Sequence, residues 1–466
     1  MKRTIAILGA GYSGTLTAVN ILRQNLGNGI RVVLVERQSP IGRGLAYRTW
    51  DDNLLLNVPA GNMDALADDP GHFLSYCRKI DPHFNSGSFL PRRIYGDYLE
   101  DTLAQTASES SSVLEKITCE ATAVRPGSPS GGFTVHLADG RMVLADQVVL
   151  ALGHFLPTNP QITPDWFPTD AYVANPWDLA ALDRIDSDRP VALLGAGHTA
   201  IDTLFRITSR GDGRKILLLS RRGLLPHGHR LTPRPPAEVD FPSYLAAASA
   251  GTVRAYLHAI RREAERRQAA GDNWRDVINE LRHYTPQIWQ RFPLAERRRF
   301  LDRVVPYWDI HRHRLAPSAY LRLRRLLDSG QVQAIAGHVL AYKKQGDAVA
   351  IVVRQRRDGV MRELNVGSVV NCTGPNYDIS TLRIPLVAQL RDEGYLRQDP
   401  LKTGLEVDEL YQVIDRHGQS VSNLFYLGPM LKAKYWEAIA VPELRVHSLR
   451  MARLMLAVDP CARRPA

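Results

Sequence analysis

Thr4-Ile5-Ala6-Ile7-Leu8-Gly9-Ala10-Gly11-Tyr12-Ser13-Gly14-Thr15 opens the chain with an apolar run, a glycine-rich turn, and then apolar residues at helical spacing through Leu22. Strand, tight turn and helix in that order are the context in which a G-x-G-x-x-G turn binds a dinucleotide pyrophosphate. Gly9 permits the turn and Gly11 lets the backbone approach the pyrophosphate. Gly14 lets the helix pack closely on the strand, while the N–H groups of its first residues, Tyr12 and Ser13 among them, face the phosphates. A second strand, Arg31 to Val35, ends in Glu36, with Arg37 following it. A carboxylate in that place accepts hydrogen bonds from an adenosine ribose, which points to FAD or NAD and disfavours a 2′-phosphate.

The same plan returns at Gly195-Ala196-Gly197-His198-Thr199-Ala200, after the apolar run Val191 to Leu194. Here the next strand, Lys215 to Leu219, ends in Ser220-Arg221-Arg222, so two cations stand where the first unit has an acid. Guanidinium groups there pair with a 2′-phosphate, and NADPH is the expected second dinucleotide. NADH stays open, because the two arginines also read as solvated charge in an arginine-rich chain.

At 466 residues the chain is too long for one ordinary core and implies two domains, with room for an insertion. Its start runs directly into a strand with no signal peptide, and no apolar stretch approaches the ~18–20 residues that span a bilayer, so no membrane association and a cytoplasmic location are expected. The four cysteines, Cys77, Cys119, Cys372 and Cys461, form no C-x-x-C pair. A disulfide framework, a zinc site and a flavin–disulfide relay are therefore not indicated. The net charge of +11 comes from dispersed basic residues, densest from Arg261 to Arg314, that match no nucleic-acid-binding motif. Attraction of anionic cofactors and of a small anionic substrate accounts for it, without nucleic acid.

An internal echo organises the rest. Thr118 to Val124, Phe133 to Leu137 and Arg141 to Leu144 read as a small antiparallel meander before the buried strand Gln147-Val148-Val149-Leu150-Ala151-Leu152-Gly153. Val332 to Ala341, Ala348 to Arg354 and Met361 to Leu364 repeat it before Ser368-Val369-Val370-Asn371-Cys372-Thr373-Gly374. The expected class is α/β with two Rossmann-like dinucleotide-binding domains. Residues 1–160 begin a discontinuous FAD domain, 188–345 form the NAD(P)H domain, and 346–466 complete the FAD domain. Between 237 and 326 the α/β rhythm gives way to charged helical segments, Val253 to Gln268 and Trp274 to His283, punctuated by Pro286, Pro293 and Pro306. This reads as a helical insertion, either a cap on the active site or a surface elaboration.

Several stretches together resemble a family of bacterial FAD/NAD(P)-binding monooxygenases that includes FAD-dependent urate hydroxylase and L-aspartate N-monooxygenase. They are Gly42-Arg43-Gly44-Leu45-Ala46-Tyr47, Leu54-Leu55-Leu56-Asn57-Val58-Pro59-Ala60, Tyr307-Trp308-Asp309-Ile310-His311-Arg312-His313-Arg314, Asn371-Cys372-Thr373-Gly374-Pro375 and Trp436-Glu437-Ala438-Ile439-Ala440-Val441-Pro442-Glu443-Leu444-Arg445. The resemblance covers nearly the whole chain and is less specific for substrate than for family. Read for their physics, Gly42 and Gly44 make a turn with little side-chain bulk beside a flavin's ribityl and pyrophosphate segment. Asn57 and Val58 would border the flavin, and Asn57 is a candidate donor to flavin or substrate. Gly428 ends the strand Leu424 to Leu427, with Pro429 where many flavoproteins place Asp, and Val441-Pro442 opens a last helix aimed at the flavin's pyrimidine end.

The expected chemistry is that NAD(P)H reduces FAD and dioxygen then adds at flavin C4a as a hydroperoxide that hydroxylates a small anionic substrate. The resemblance implies urate, giving 5-hydroxyisourate, as the leading substrate and an L-aspartate type N-hydroxylation as the alternative. A flavin-binding electron carrier or redox sensor is the alternative of another class. Arg312 and Arg314, with His311 and His313, are candidate substrate contacts or interface packing, and Arg230 with His227 and His229 is a second cluster. The His-x-His spacings lack an accompanying ligand set beyond Asp309, so no metal is expected. Nothing in the sequence fixes the oligomeric state.

Overall fold

The computed structural model describes residues 2–25, 29–127, 132–164, 166–167, 171–186, 188–211, 213–231, 241–246, 248, 251–346 and 348–457. The start of the expected insertion, residues 237–240, and Cys461 lie outside them.

In chain order the strands are β1 (Thr4–Leu8), β2 (Arg31–Glu36), β3 (Val113–Thr118), β4 (Ala121–Pro126), β5 (Phe133–Leu137), β6 (Met142–Ala145), β7 (Gln147–Leu150) and β8 (Tyr172–Val173). They continue as β9 (Val191–Leu194), β10 (Ile216–Ser220), β11 (Val332–Gln345), β12 (Ala348–Gln355), β13 (Met361–Val366), β14 (Ser368–Asn371), β15 (Gln412–Ile414) and β16 (Ser420–Tyr426). They form a six-stranded sheet in the order β15-β16-β7-β1-β2-β3, a seven-stranded sheet β13-β12-β11-β10-β9-β14-β8, and a separate three-stranded meander β4-β5-β6. Strands β1, β7, β9 and β14 are buried along their whole length, which is why they read as unbroken apolar runs rather than alternating ones. The fold is mixed α/β with two Rossmann-like units: β1, β2 and β7 pair in parallel in one, β9, β10 and β14 in the other.

The echo seen in the sequence is real, but the two copies join their sheets differently. The first meander stands apart, whereas β11 pairs in parallel with β10 through Ala336 and then continues as an arm antiparallel to β12. Strand β14 returns to β9 as β7 returns to β1. The expected boundary at 345/346 is therefore corrected: it cuts the β11–β12 hairpin, and residues 348–371 belong to the second sheet. A return strand pairs with the strand that opened its own unit. Strand β8, at 172–173, also lies in the second sheet, ahead of the expected start at 188.

Residues 379–455 close the first domain. Their side chains, from Ile379 to Met455, share one core with β1, β2 and the helix Arg92–Glu109, whose Tyr95, Tyr98 and Leu103 are fully buried. The helix Val441–Ala457 lies along the helix Tyr12–Gln24, with Asn20 Nδ2 donating to Ser448 Oγ at 2.9 Å.

The insertion is helical, and its prolines sit where helices begin. Pro286 and Pro306 occupy the first turns of Thr285–Arg291 and Val305–Arg312, where a missing N–H costs nothing. Thr252 and Asn273 cap Val253–Ala269 and Trp274–Leu281 by accepting from Ala255 N and Arg275 N. The expected end at 326 is too late. The helix Pro317–Asp328 is the crossover from β10 to β11, its Leu323 buried against the second sheet, so the insertion ends near Arg312. Its own apolar cluster includes Trp436 of the first domain, and Trp289 Nε1 donates to Ala433 O at 2.9 Å. Among the described residues no helix is long and apolar enough to cross a membrane.

Candidate functional site

The first glycine loop is shaped by the strand beside it. Gly9 sits at φ +103°, and a Cβ there would stand 2.3 Å from the Ala151 carbonyl that follows β7. Gly11 caps the helix Tyr12–Gln24 in extended conformation, and a Cβ on Gly14 would lie 1.8 Å from Gly9 O, so the third glycine is obligatory for this helix–strand contact. Glu36 Oε2 accepts from Ala10 N at 2.8 Å, holding its carboxylate at the loop's rim, while Arg37 is exposed.

The Gly42–Gly44 turn covers this loop. Gly42 N donates to Ala10 O at 3.0 Å, and a Cβ on Gly44 would come within 2.7 Å of Gly11 Cα. Arg43 between them is buried, ion-paired with Asp97 and, at 2.8 Å, with Glu100, which ties the turn to the helix Arg92–Glu109. Tyr12 Oη donates to Val441 O at 3.2 Å, so the opening of the last helix, Val441-Pro442, meets the start of the first. Gly428 faces Gly153 across the ends of β16 and β7. Val58 packs on the first core, and the Asn57 carbonyl is met by His229 Nε2 at 3.0 Å, which links the two domains. Glu36, the Gly42–Gly44 turn and the start of the last helix thus meet the first glycine loop at the carboxyl ends of the first sheet, where α/β folds bind ligands.

The second loop repeats the backbone. Gly195 (φ +126°) abuts Cys372 O, where a Cβ would stand 2.2 Å away, and Gly197 caps the helix His198–Ile207 as Gly11 caps its own. The surroundings differ. A Cβ on Gly197 would meet nothing within 4 Å, and Ala200 takes the third position, fully buried. His198 Nε2 is 3.0 Å from His313 O, and Thr199 is half-buried. Arg221 is exposed beyond β10, and Arg222 lies over Tyr307, 5.7 Å from its ring centroid.

The arginines expected to touch substrate are occupied by the protein itself. Arg312 pairs at 2.8 Å with Glu437, whose side chain is 1% exposed, and Arg314 is buried and donates to Asn279 Oδ1. Burial, with Arg312 and Arg275 nearby, pushes Arg314 down to about 9. These side chains hold the insertion against both domains, the packing role weighed against substrate contact. The second cluster is spent likewise: Arg230 pairs with Asp276, and His227 meets the Trp274 ring edge-on and lies tilted against His311. Among the described residues no group of three His, Cys, Asp or Glu is placed to hold a metal ion.

The segments that follow β7 and β14 meet at the Phe155–Asn376 bridge, and further groups gather there. His154, directly after the Gly153 turn, is exposed, and desolvation and then Lys432 push it down to about 4. Tyr377 is 3.3 Å from His154 Nδ1, and Lys432 Nζ is 5.7 Å from the Tyr377 ring centroid. Asp309 enters from the insertion. Its side chain is 49% exposed, and desolvation raises its carboxyl to about 6. Burial pushes the Cys372 thiol up to about 12, and its Sγ donates to Thr203 Oγ1, so it is an inert core group. Sequence reasoning missed His154, Tyr377 and Lys432. Only the position of His154 after a strand-ending glycine was a usable signal.

Residues 6–155 match a protein family described as FAD-NAD(P)-binding. Comparison with curated proteins finds no match. Among solved structures, L-lysine 6-monooxygenase from Pseudomonas syringae is similar with a TM-score of 0.66 at 16% identity, over 98% of this chain and 100% of that one. Ornithine N-hydroxylase from Kutzneria sp. 744, solved with reduced FAD, NADP+ and L-ornithine, gives 0.63 at 15% over 98% and 99%. Thioredoxin reductase from T. acidophilum gives 0.52 at 10% over 97% and 98%. At such identities the likeness is one of fold, and the chain shares over nearly its whole length the two-Rossmann-domain α/β fold of these monooxygenases and reductases.

Proposed function

We propose that the protein is a flavin-dependent monooxygenase that holds FAD at the first glycine loop, takes electrons from NADPH at the second, and hydroxylates the nitrogen of a small amine with dioxygen. The observation that carries this reading is the pair of glycine loops, the first with Glu36 on its rim and the second with Arg221 and Arg222 beyond the strand that follows it, in a chain whose helical insertion is anchored to the first domain by Arg312–Glu437 and Trp289–Ala433. Bound FAD would supply the hydride-accepting and oxygen-activating centre. Glu36 would hold its ribose, the N–H groups at Tyr12 and Ser13 its pyrophosphate, and the first turn at Val441-Pro442 would favour negative charge on its pyrimidine end.

The amine reading stands ahead of the urate reading for two reasons. Arg312 and Arg314, which made a small anion attractive, are engaged by Glu437 and Asn279. The full-length likeness is also higher to lysine and ornithine hydroxylases, at 0.66 and 0.63, than to thioredoxin reductase, at 0.52. The test is an aerobic assay of FAD-loaded protein with NADPH and a panel of L-lysine, L-ornithine, L-aspartate, cadaverine and urate, scoring hydroxylamine product and urate absorbance. Hydroxylamine from an amine is the expected result. Urate loss without hydroxylamine, or NADPH oxidation that no panel member stimulates, overturns it.

A further inference from the structure

The segment from Asp51 to Asn57 belongs to the first domain, yet it meets the second at Asp51, Asn53 and Asn57 and, through Arg92, at Leu55. Leu56 and the neighbouring Val58 pack on the first core. Backbone bonds from Arg92 N to Leu54 O at 2.9 Å and from Leu56 N to Leu90 O at 2.8 Å fasten the segment beside the helix Arg92–Glu109. Asp51, its side chain 6% exposed, pairs with Arg206 at 3.3 Å, and Asn53 Oδ1 accepts from Arg322 at 3.2 Å. The Leu55 carbonyl accepts from Arg92 Nε at 3.1 Å. The other arm of Arg92 crosses to Asp202 at 2.7 Å, the two side chains 10% and 15% exposed. The Asn57 carbonyl meets His229 Nε2.

Three of these contacts converge on the helix His198–Ile207, which begins at the second glycine loop. Asp202 and Arg206 stand one turn apart on it and so share the face that meets the first domain. Arg322 holds the same helix to the segment, one nitrogen donating to Phe205 O at 3.1 Å while the other reaches Asn53. The far arm of Arg206 pairs with Asp183 at 2.6 Å, which fixes the guanidinium from its own side. Largely buried charge pairs add little stability, because desolvation offsets their attraction, so what they supply across this interface is a defined register. Interfaces between domains of one chain allow relative motion by default, whereas turning the second domain away here would break every one of these contacts together.

We propose that Arg92, Asp202, Asp51 and Arg206 are positioning residues for hydride transfer: they clamp the helix His198–Ile207 on the segment Asp51–Asn57, so that the second dinucleotide meets the first with the domains held in one arrangement throughout the reaction. This deepens the reading of the two loops as FAD and NADPH sites and rests on it. Two electrons and one proton pass from NADPH to FAD in that step, and none of the four side chains exchanges either. They fix where the donor stands. A misplacement of about 1 Å costs about a hundredfold in such a step, so the clamp acts on the rate, whereas the loop with Arg221 and Arg222 sets the affinity for NADPH.

The test is anaerobic reduction of the FAD-loaded protein by NADPH in a stopped-flow instrument, which separates the limiting rate from the NADPH concentration at half-saturation. In Arg92→Met the limiting rate is expected to fall by about tenfold to a hundredfold, with half-saturation and FAD retention unchanged. Arg92→Lys, which keeps the charge on Asp202, should recover most of that loss. Asp202→Asn, nearly the same in shape, gives the same comparison if the methionine variant does not fold, judged by its thermal melt. Glycerol supplies the readout that a merely structural role would not move. The wild-type limiting rate should be indifferent to viscosity, and that of the Arg92→Met variant should slow with it, because its domains must find their arrangement by diffusion. An unchanged limiting rate in a folded variant, a loss confined to half-saturation, or a wild-type rate that slows in proportion to viscosity overturns the proposal and leaves the two dinucleotide sites standing. Protein that retains no flavin, or whose flavin NADPH does not reduce, overturns both.

Discussion

The two glycine loops have nearly the same backbone and opposite surroundings. Gly11 and Gly197 cap their helices at φ/ψ of −75°/−164° and −86°/−168°, and Gly9 and Gly195 each make room for the carbonyl that ends a returning strand. The first loop is then closed over by Gly42–Gly44, tied through Tyr12 to the last helix, and given the carboxylate of Glu36. The second keeps an open Gly197, an alanine at its third position and an exposed Arg221. A covered loop suits a ligand that stays, and an open one a ligand that exchanges at every turnover. The same turn therefore serves two kinds of binding, and the difference lies in what packs on it.

The sharpest way to break this comparison is at the third position. Gly14→Ala drives a Cβ into Gly9 O and should cost about 3 kcal/mol in denaturant unfolding, with loss of FAD retention. The reciprocal Ala200→Gly should cost only about 1 kcal/mol, the helix-propensity difference, with the NADPH KM little changed. Equal costs at the two sites would mean that the loops are not differently packed.

The strand-end residues come next in size. Glu36→Gln should weaken FAD retention by about tenfold or more, measured by ultrafiltration, since a charged acceptor is lost. Arg221→Ala with Arg222→Ala should lower the NADPH-over-NADH ratio of kcat/KM by several-fold and leave FAD in place. An unchanged ratio would return both arginines to ordinary surface charge.

The smallest effect is in acid. His229 is held down to about 3, by burial first and by Arg314 next, and His447 to about 4 by burial. A folded-state pKa below the unfolded ~6.5 gives stability that is full above that value and is lost as pH falls through the window toward 3–4. Asp309, raised to about 6, works in the opposite sense, since its destabilisation is relieved on acidification. The thermal midpoint should therefore fall between about pH 6.5 and 5, and His229→Gln should flatten that fall by a few degrees. A steeper fall in the variant would contradict the neutral His229 that holds Asn57 O.

What could be read in the sequence was local. The loops, Glu36 at the strand end, both meanders and the helices at 253–269 and 274–281 follow from periodicity and turn chemistry within a few residues of each other. The boundary at 345/346 failed because β11 changes partner midway, from β10 to β12, and pairing across a sheet leaves no mark on a single strand. Arg312 and Arg314 were legible as donors, but not that Glu437 and Asn279 would engage them. Lys432 carried no signal at all, because its place near the Trp436 and Tyr377 rings depends on how distant segments pack.

The central claim is that the first loop keeps FAD and the second delivers NADPH to it. Its most direct test is anaerobic stopped-flow reduction of gel-filtered, FAD-loaded protein over a range of NADPH concentrations, following the flavin absorbance. Flavin that survives gel filtration, is bleached fully by NADPH, and in the Arg221→Ala, Arg222→Ala variant needs more NADPH to reach an unchanged limiting rate is the predicted result. Flavin lost on the column, or held but not reduced by NADPH, would contradict it.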